Sequence, residues 1–190
     1  MLKKISLSAL CAISAFAMHS AEVNVNNSDL ELSAKLDMGQ FNDSIEPDTI
    51  LLGAKYLKAD EKHSDVNSID DYQELNFLMQ RGVSTNLKVG LGLKINHTKD
   101  FASAPLGAEV TYKLPVTSSV PFYVGGAVYA APEVLSFDRA DSFLEYRVTI
   151  EAEAIKNGFL TVGYRHIDTN YDNVDIEYND SVYFGLKFLF

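Results

Sequence analysis

The sequence predicts an all-β chain that forms a single antiparallel transmembrane β-barrel of about ten strands, with eight strands as the alternative. Three observations predict this fold. Segments of about ten residues alternate apolar and polar side chains, and successive side chains of a strand point to opposite faces. Turn residues separate these segments. The last segment, residues 181–190, alternates up to Phe190, and a barrel would close such an exposed edge against its first strand.

The first residues have the composition of a secretory signal peptide. Two lysines precede a small, apolar stretch over residues 5–16, which is too short to cross a membrane as a helix. Cleavage is expected after Ala17 or Ser20, with the later site preferred. The expected domains are therefore a signal peptide over residues 1–20 and a barrel over residues 21–190. An exported barrel of this kind is expected in the outer membrane of a Gram-negative cell.

The clearest predicted strand runs from Ser28 to Met38. Its even-numbered positions from Leu30 onward are apolar, and Glu31 and Lys35 lie on the opposite face. A shift of one residue would turn these charges toward lipid, at about 2–4 kcal/mol for a lysine at the membrane midplane, so the register is well fixed. The other predicted strands cover residues 21–26, 49–59, 72–81, 87–97, 105–113, 120–131, 143–154, 159–167 and 181–190.

Turn residues orient the predicted barrel. The segments 82–85 and 156–158 suit tight turns. Counted back from a last strand that ends in the periplasm, both fall at the periplasmic end. The connections expected outside the cell are residues 60–71, 98–103, 132–141 and 168–180.

The polar faces of the predicted strands form a lumen in which acids and bases are nearly balanced. The interior of so small a barrel is just wide enough for side chains to fill, so we expect these charges to pair with one another. A near-neutral lumen favours a packed polar core over a narrow, gated conduit, because an ion-selective pore normally has an excess of one sign. The predicted lumen charge network is Glu31, Lys35, Lys55, Glu74, Lys88, Lys94, Glu109, Lys113, Glu145, Arg147, Glu151, Arg165 and Lys187.

The chain is acidic, with 16 Lys and Arg against 26 Asp and Glu, which argues against nucleic acid as a partner. The expected partners are outer-membrane lipid, including lipopolysaccharide, and the barrel-assembly machinery. Lys58, His97 and Lys99 fall near the predicted outer rim. They are either contacts to lipopolysaccharide phosphates or solvated rim charges. We expect a monomer with no cofactor.

One segment has the beginning of a calcium-binding pattern. Asp168, Asn170 and Asp172 supply oxygen ligands at alternate positions, as the opening of a calcium loop does. Asn173 and Asn179 then stand where the loop requires glycine and glutamate. We therefore expect an acidic surface loop and no metal site.

Catalysis would require a nucleophile, a base and an orienting acid close together near the outer rim. His97 and His166 fall on the outward face of their strands, without a serine and an acid at strand spacing, and His63 lies in a predicted loop. We therefore expect no enzyme. The predicted role is structural or one of envelope interaction, with a narrow, porin-like diffusion channel as the alternative and a lipid-modifying enzyme third.

Several short motifs resemble those of the YfaZ family of small outer-membrane proteins. In chain order they are Pro132-Glu133-x-Leu135-Ser136 before Glu145-Tyr146, then Gly163-Tyr164-Arg165, and Tyr183-Phe184-Gly185 with Phe190. The resemblance implies a small outer-membrane barrel and brings no established catalytic residues. The set of Tyr183, Gly185, Phe188 and Phe190 also resembles the carboxy-terminal signal by which such barrels are recognised for assembly.

Overall fold

The computed structural model describes residues 19–58, 71–99, 101–116, 119–171 and 174–190, which form a closed antiparallel barrel of ten strands. The alternative of eight strands is therefore wrong. Two further short strands, over residues Phe101–Ser103 and Ser136–Asp138, pair with each other, and the first also pairs with the strand Leu87–His97. In chain order the strands are β1 Ser20–Val25, β2 Leu30–Asp37, β3 Ile50–Lys58, β4 Tyr72–Gly82, β5 Leu87–His97, β6 Phe101–Ser103, β7 Leu106–Lys113, β8 Phe122–Ala131, β9 Ser136–Asp138, β10 Ala140–Ile155, β11 Gly158–Tyr171 and β12 Val174–Leu189.

Alternation along each strand separates an apolar outer wall from a polar interior. In β2, Leu32 and Leu36 are 43% and 47% exposed, whereas Glu31 and Asp37 are 1% and 0% exposed. The predicted register of this strand is therefore confirmed. So many exposed aliphatic side chains on one surface suit lipid rather than water.

The barrel has a terminal end, where β1 begins and β12 ends, and a loop end opposite it. Residues 83–86 and 156–157 form short turns at the terminal end, as the sequence predicts. Asn157 has a φ of 63°, a left-handed conformation that asparagine tolerates because its short side chain can form local hydrogen bonds. In the part of the chain that the structure describes, no helix has the length and apolar character needed to cross a membrane.

The prediction of a long outer loop over residues 168–180 was wrong. β11 continues to Tyr171, β12 begins at Val174, and the two strands pair antiparallel up to these residues, so most of the predicted loop is strand. Polar residues at consecutive positions of these strand ends interrupt the apolar–polar alternation that indicates a strand. The predicted connections 98–103 and 132–141 lie at the loop end and contain β6 and β9, whereas residues 59–70 lie outside the described residues.

The barrel closes between β1 and β12. Six residue pairs join the strands, from Ser20 opposite Leu189 to Val25 opposite Phe184. His19 extends this seam, because its backbone forms two hydrogen bonds of 3.0 and 2.9 Å with Phe190. The Nδ1 atom of His19 also accepts a hydrogen bond of 3.0 Å from the backbone N–H of Asp37 in β2. His19 and Ser20 are therefore integral to the closure.

This seam distinguishes the two predicted cleavage sites, although residues 1–18 lie outside the described residues. Cleavage after Ser20 would remove His19 and the first seam pair, whereas cleavage after Ala17 would keep both. We therefore expect the mature chain to begin at Met18, which intact-mass measurement of protein extracted from membranes would determine. A mature chain that begins at Ala21 would contradict this expectation.

Candidate functional site

Arg165 and Glu31 form the centre of the lumen. The Arg165 side chain is 1% exposed, and its Nη1 donates a 2.7 Å hydrogen bond to Oε2 of Glu31. The same guanidinium donates to Asn179 at 2.8 Å and to Ser181 and Asp29, each at 3.2 Å. These acceptors satisfy a cation that would be costly to bury alone.

Arg147 shares the same carboxylate. Its two terminal nitrogens donate to the two oxygens of Glu31 at 2.8 and 2.7 Å, a bidentate pair. A planar guanidinium matches the geometry of a carboxylate in this arrangement. Because Glu31 lies in β2, Arg147 in β10 and Arg165 in β11, the interaction ties strands across the lumen.

Two lysines and two glutamates form the adjacent part of the lumen. Lys55 lies 2.7 Å from Glu74 and 2.9 Å from Glu145, and Lys94 lies 3.3 Å and 2.5 Å from the same two carboxylates. All four side chains are at most 7% exposed. The alternating arrangement gives each charge two partners of opposite sign, which offsets the loss of hydration.

Two glycines make room for aromatic rings in the lumen. A Cβ at Gly163 would overlap Cζ of the Tyr183 ring, and one at Gly92 would lie 2.8 Å from the ring of Tyr129. The Tyr129 hydroxyl donates a 2.7 Å hydrogen bond to Glu109. Glycine is therefore required here for close packing rather than for an unusual backbone conformation.

An apolar cluster packs inside the loop end of the barrel. It brings together residues from β3, β4, β6, β8, β10, β11 and β12. The aromatic rings of Tyr178 and Tyr72 are 5.8 Å apart, as are those of Tyr178 and Phe101. The cluster consists of Leu57, Tyr72, Phe101, Ala131, Ala140, Phe143, Ile167 and Tyr178.

A cavity of about 390 Å³ occupies the terminal half of the lumen. It extends from Glu31 and Arg147 to Ser20 and Leu189. Partly exposed ion pairs line its walls, namely Lys35 with Glu109, Lys88 with Asp48 and Lys187 with Glu151. The lumen therefore has apolar packing at the loop end, buried ion pairs in the middle and a polar cavity at the terminal end.

The structure brings together most of the lumen residues predicted from the sequence. Every one except Lys113 takes part in an ion pair within the described residues. Lys113 is exposed near the terminal rim, with its Nζ 5.8 Å from the centre of the Tyr123 ring. Asp29, Asp48 and Asn179, which are not among the predicted lumen residues, complete the network.

The rim candidates lie outside the lumen. His97 and Lys99 are exposed at the loop end of β5, and Lys58 is exposed at the end of β3. The register places His97 opposite Gln73 of β4 and Gln73 opposite Tyr56 of β3. The three basic residues therefore lie on one side of the rim, with only β4 between Lys58 on β3 and the other two at the end of β5.

The remaining predicted groups have different surroundings. Asp168 and Asn170 belong to β11 rather than to a loop, and Asp172 lies outside the described residues. A strand cannot wrap its side chains around an ion as a calcium loop does. In the carboxy-terminal segment, Tyr183 is buried in the lumen while Phe188 is 48% exposed on the outer wall.

Comparison with known proteins gives a family and a distant structural likeness. The model of the family described as YfaZ precursor matches residues 2–190. Among solved structures, the crystal structure of the outer membrane channel DcaP of Acinetobacter baumannii is similar over 89% of this chain and 54% of that chain, with 9% identity and a TM-score of 0.39. This chain thus spans about half the length of that channel. A search of the curated proteins finds no match.

The shared role of Glu31 can be tested by replacing it with glutamine. Glu31→Gln leaves two buried guanidinium groups facing an amide, so we expect the free energy of unfolding to fall by about 3–5 kcal/mol. The measurement is urea unfolding of the refolded barrel in detergent, with the folded fraction at each urea concentration determined from heat-modifiable migration on a denaturing gel.

The matched control is Lys88→Gln. The pair of Lys88 with Asp48 is 37% and 26% exposed, so we expect a loss of only about 0–1 kcal/mol. Equal losses in the two variants would contradict a special role for Glu31.

Proposed function

We propose that this chain, which belongs to the YfaZ family, is a small outer-membrane barrel with an occluded lumen and a structural or interactive role in the cell envelope. The observation that carries this proposal is the apolar cluster packed beside the buried ion pairs in the same lumen. A solute that crossed the barrel would have to displace both layers.

The two layers oppose passage for different physical reasons. An apolar constriction excludes hydrated ions because it offers no polar groups to replace their water. The ionic layer consists of charges that already have partners of opposite sign, so it presents no excess charge to a passing ion. Opening the lumen would require breaking the hydrogen-bonded pairs of Glu31 with Arg165 and Arg147.

The outer wall supports a location in the outer membrane. Leu91 of β5 and Val148 and Ile150 of β10 are 66%, 50% and 54% exposed on this wall. A closed barrel leaves no unpaired strand edge within the hydrocarbon layer. The predicted signal peptide and carboxy-terminal assembly signal would bring the chain to that membrane.

The rim basic residues support an interaction with lipopolysaccharide. Lys58, His97 and Lys99 are exposed on one side of the loop end, where they would meet the phosphates of the outer leaflet. Long basic side chains at a membrane interface keep their stems against lipid while their charges remain in water.

The terminal cavity favours a diffusion channel as the second candidate. Its volume of about 390 Å³ would admit a small polar solute. The cavity does not by itself provide a path, since the buried ion pairs and the apolar cluster lie between it and the loop end. We propose no catalytic role.

Conductance in a planar bilayer tests the occluded lumen. We expect the refolded wild-type protein to give no steady unitary current. Arg147→Ala should also be silent, because the apolar cluster remains, as should Phe143→Ala, because the ion pairs remain. Heat-modifiable migration would establish that each protein has folded, and protease protection would establish insertion.

The double variant Phe143→Ala and Arg147→Ala weakens both layers and serves as the positive comparison. Brief openings in this variant alone would agree with two layers of which either suffices to block passage. Steady currents from the wild-type protein would overturn the proposal and favour the diffusion channel.

Binding to lipopolysaccharide vesicles tests the interactive role. Replacing Lys58 and Lys99 with glutamine should lower the affinity of the folded barrel for lipopolysaccharide, and added salt should weaken binding of the wild type. Lys113→Gln is the matched control, because Lys113 is exposed at the opposite rim. Affinity that falls equally in this control would contradict a specific rim contact.

A further inference from the structure

A histidine and two carboxylates converge on the outer wall near the loop end. One ligand atom from each of His166, Glu177 and Asp180 lies within 4.8 Å of the other two. His166 belongs to β11, and both acids belong to β12. This group is separate from the lumen and from the rim residues on β3 and β5.

An irregularity in the strand pairing creates this convergence. His166 pairs with Asp180 and Ile167 pairs with Asn179, but Asp168 pairs with Glu177. The chain thus skips Tyr178, whose side chain is buried in the apolar cluster beside that of Ile167. A bulge of this kind re-aims side chains. Glu177 consequently joins Asp180 on the exposed face.

The imidazole of His166 is held in place and has an unsatisfied nitrogen. Its ring stacks on Tyr146, with centroids 4.7 Å apart and an angle of 25° between the planes. Its Nδ1 is shielded from solvent and has no hydrogen-bond partner. The nearest carboxylate oxygen, Oδ2 of Asp180, is 3.9 Å away, which is too far for a hydrogen bond. A buried polar atom without a partner is unfavourable unless a ligand satisfies it.

The spacing fits a metal ion between these groups. Zinc lies about 2.0–2.1 Å from a histidine nitrogen and about 2.0–2.2 Å from a carboxylate oxygen, so two such ligands are about 3.4 Å apart at a tetrahedral angle and at most about 4.3 Å apart. The separation of 3.9 Å between Nδ1 and Oδ2 falls between these values. The bound of 4.8 Å on the whole group exceeds them, so the exposed carboxylates of Glu177 and Asp180 would have to move slightly inward to bind one ion. An imidazole nitrogen among the ligands favours zinc and similar transition metals over calcium and magnesium, which prefer oxygen.

We propose that His166, Glu177 and Asp180 form a zinc site on the outer wall of the barrel, with the fourth position open to water or to a ligand from outside. The site depends on the bulge in β12 and not on whether the lumen conducts. The bound ion would join β11 to β12 where they extend beyond β1.

Zinc binding to the refolded barrel tests the site. Isothermal titration with zinc chloride alone, in detergent, should show one equivalent bound by the wild-type protein. His166→Phe keeps an aromatic ring against Tyr146 but removes the ligand nitrogen, and it should weaken binding at least tenfold. Glu177→Gln and Asp180→Asn should each weaken binding as well. Heat-modifiable migration would verify that every variant is folded.

His97→Phe is the matched control, because His97 is also exposed on the outer wall near the loop end, on a different strand. It should bind zinc as the wild type does. An equal loss in both histidine variants would overturn the site and indicate diffuse binding to exposed histidines. Unchanged affinity in His166→Phe, tighter binding of calcium than of zinc, or less than one equivalent of zinc in the wild type would overturn it too.

Discussion

Two arginines of the lumen share one carboxylate, that of Glu31. The side chains of Arg165 and Arg147 are only 1% and 18% exposed, so each needs an anion at hydrogen-bond distance, and Glu31 supplies one to both. The three residues come from different strands, so the interaction is formed only when the barrel has closed in the observed register. A shift of β2 by one residue would move Glu31 to the outer wall and leave both guanidinium groups without it. The buried ion pairs therefore specify the register, whatever their net contribution to stability.

The apolar cluster and the ion pairs also depend on each other. Tyr72 belongs to both, since its ring packs against Tyr178 while its hydroxyl donates a 2.9 Å hydrogen bond to Glu74. Apolar packing on one side keeps water from the charges, which strengthens their attraction and raises the penalty for separating them. The ion pairs in turn hold β3, β4, β5 and β10 at the spacing that the cluster fills. The lumen is therefore more than a lining of polar side chains around an empty space.

The alternation of apolar and polar residues predicted most of the lumen-facing side chains. The parity of a residue, meaning its odd or even position along a strand, decides whether its side chain faces the lumen or the outer wall. Glu31, Lys55 and Arg165 were placed correctly by parity alone. Parity could not indicate their partners, since Lys55 meets Glu145 across the lumen, 90 residues away in sequence. Asp29 was not selected although it falls within the predicted strand from Ser28 to Met38, on the same face as Glu31. Asn179 was missed because residues 168–180 were predicted to form a loop. The strands β6 and β9, three residues each, are too short to show a period. Their pairing depends on tertiary contacts that a local pattern does not contain.

The loop-end half of β12 both protects an exposed strand edge and brings the proposed zinc ligands together. β1 pairs with β12 only between Val25 and Ser20, so within the described residues the segment from Val174 to Ser181 has β11 as its partner on one side. Such an edge invites pairing with another chain, and bulges and charged side chains are the usual protection. Glu177, Asp180 and the bulge provide that protection, but they also concentrate negative charge beside His166. A bound cation would relieve the repulsion between the two acids while the bulge still prevented further strand pairing. One local distortion thus explains both the protected edge and the convergence of ligand atoms.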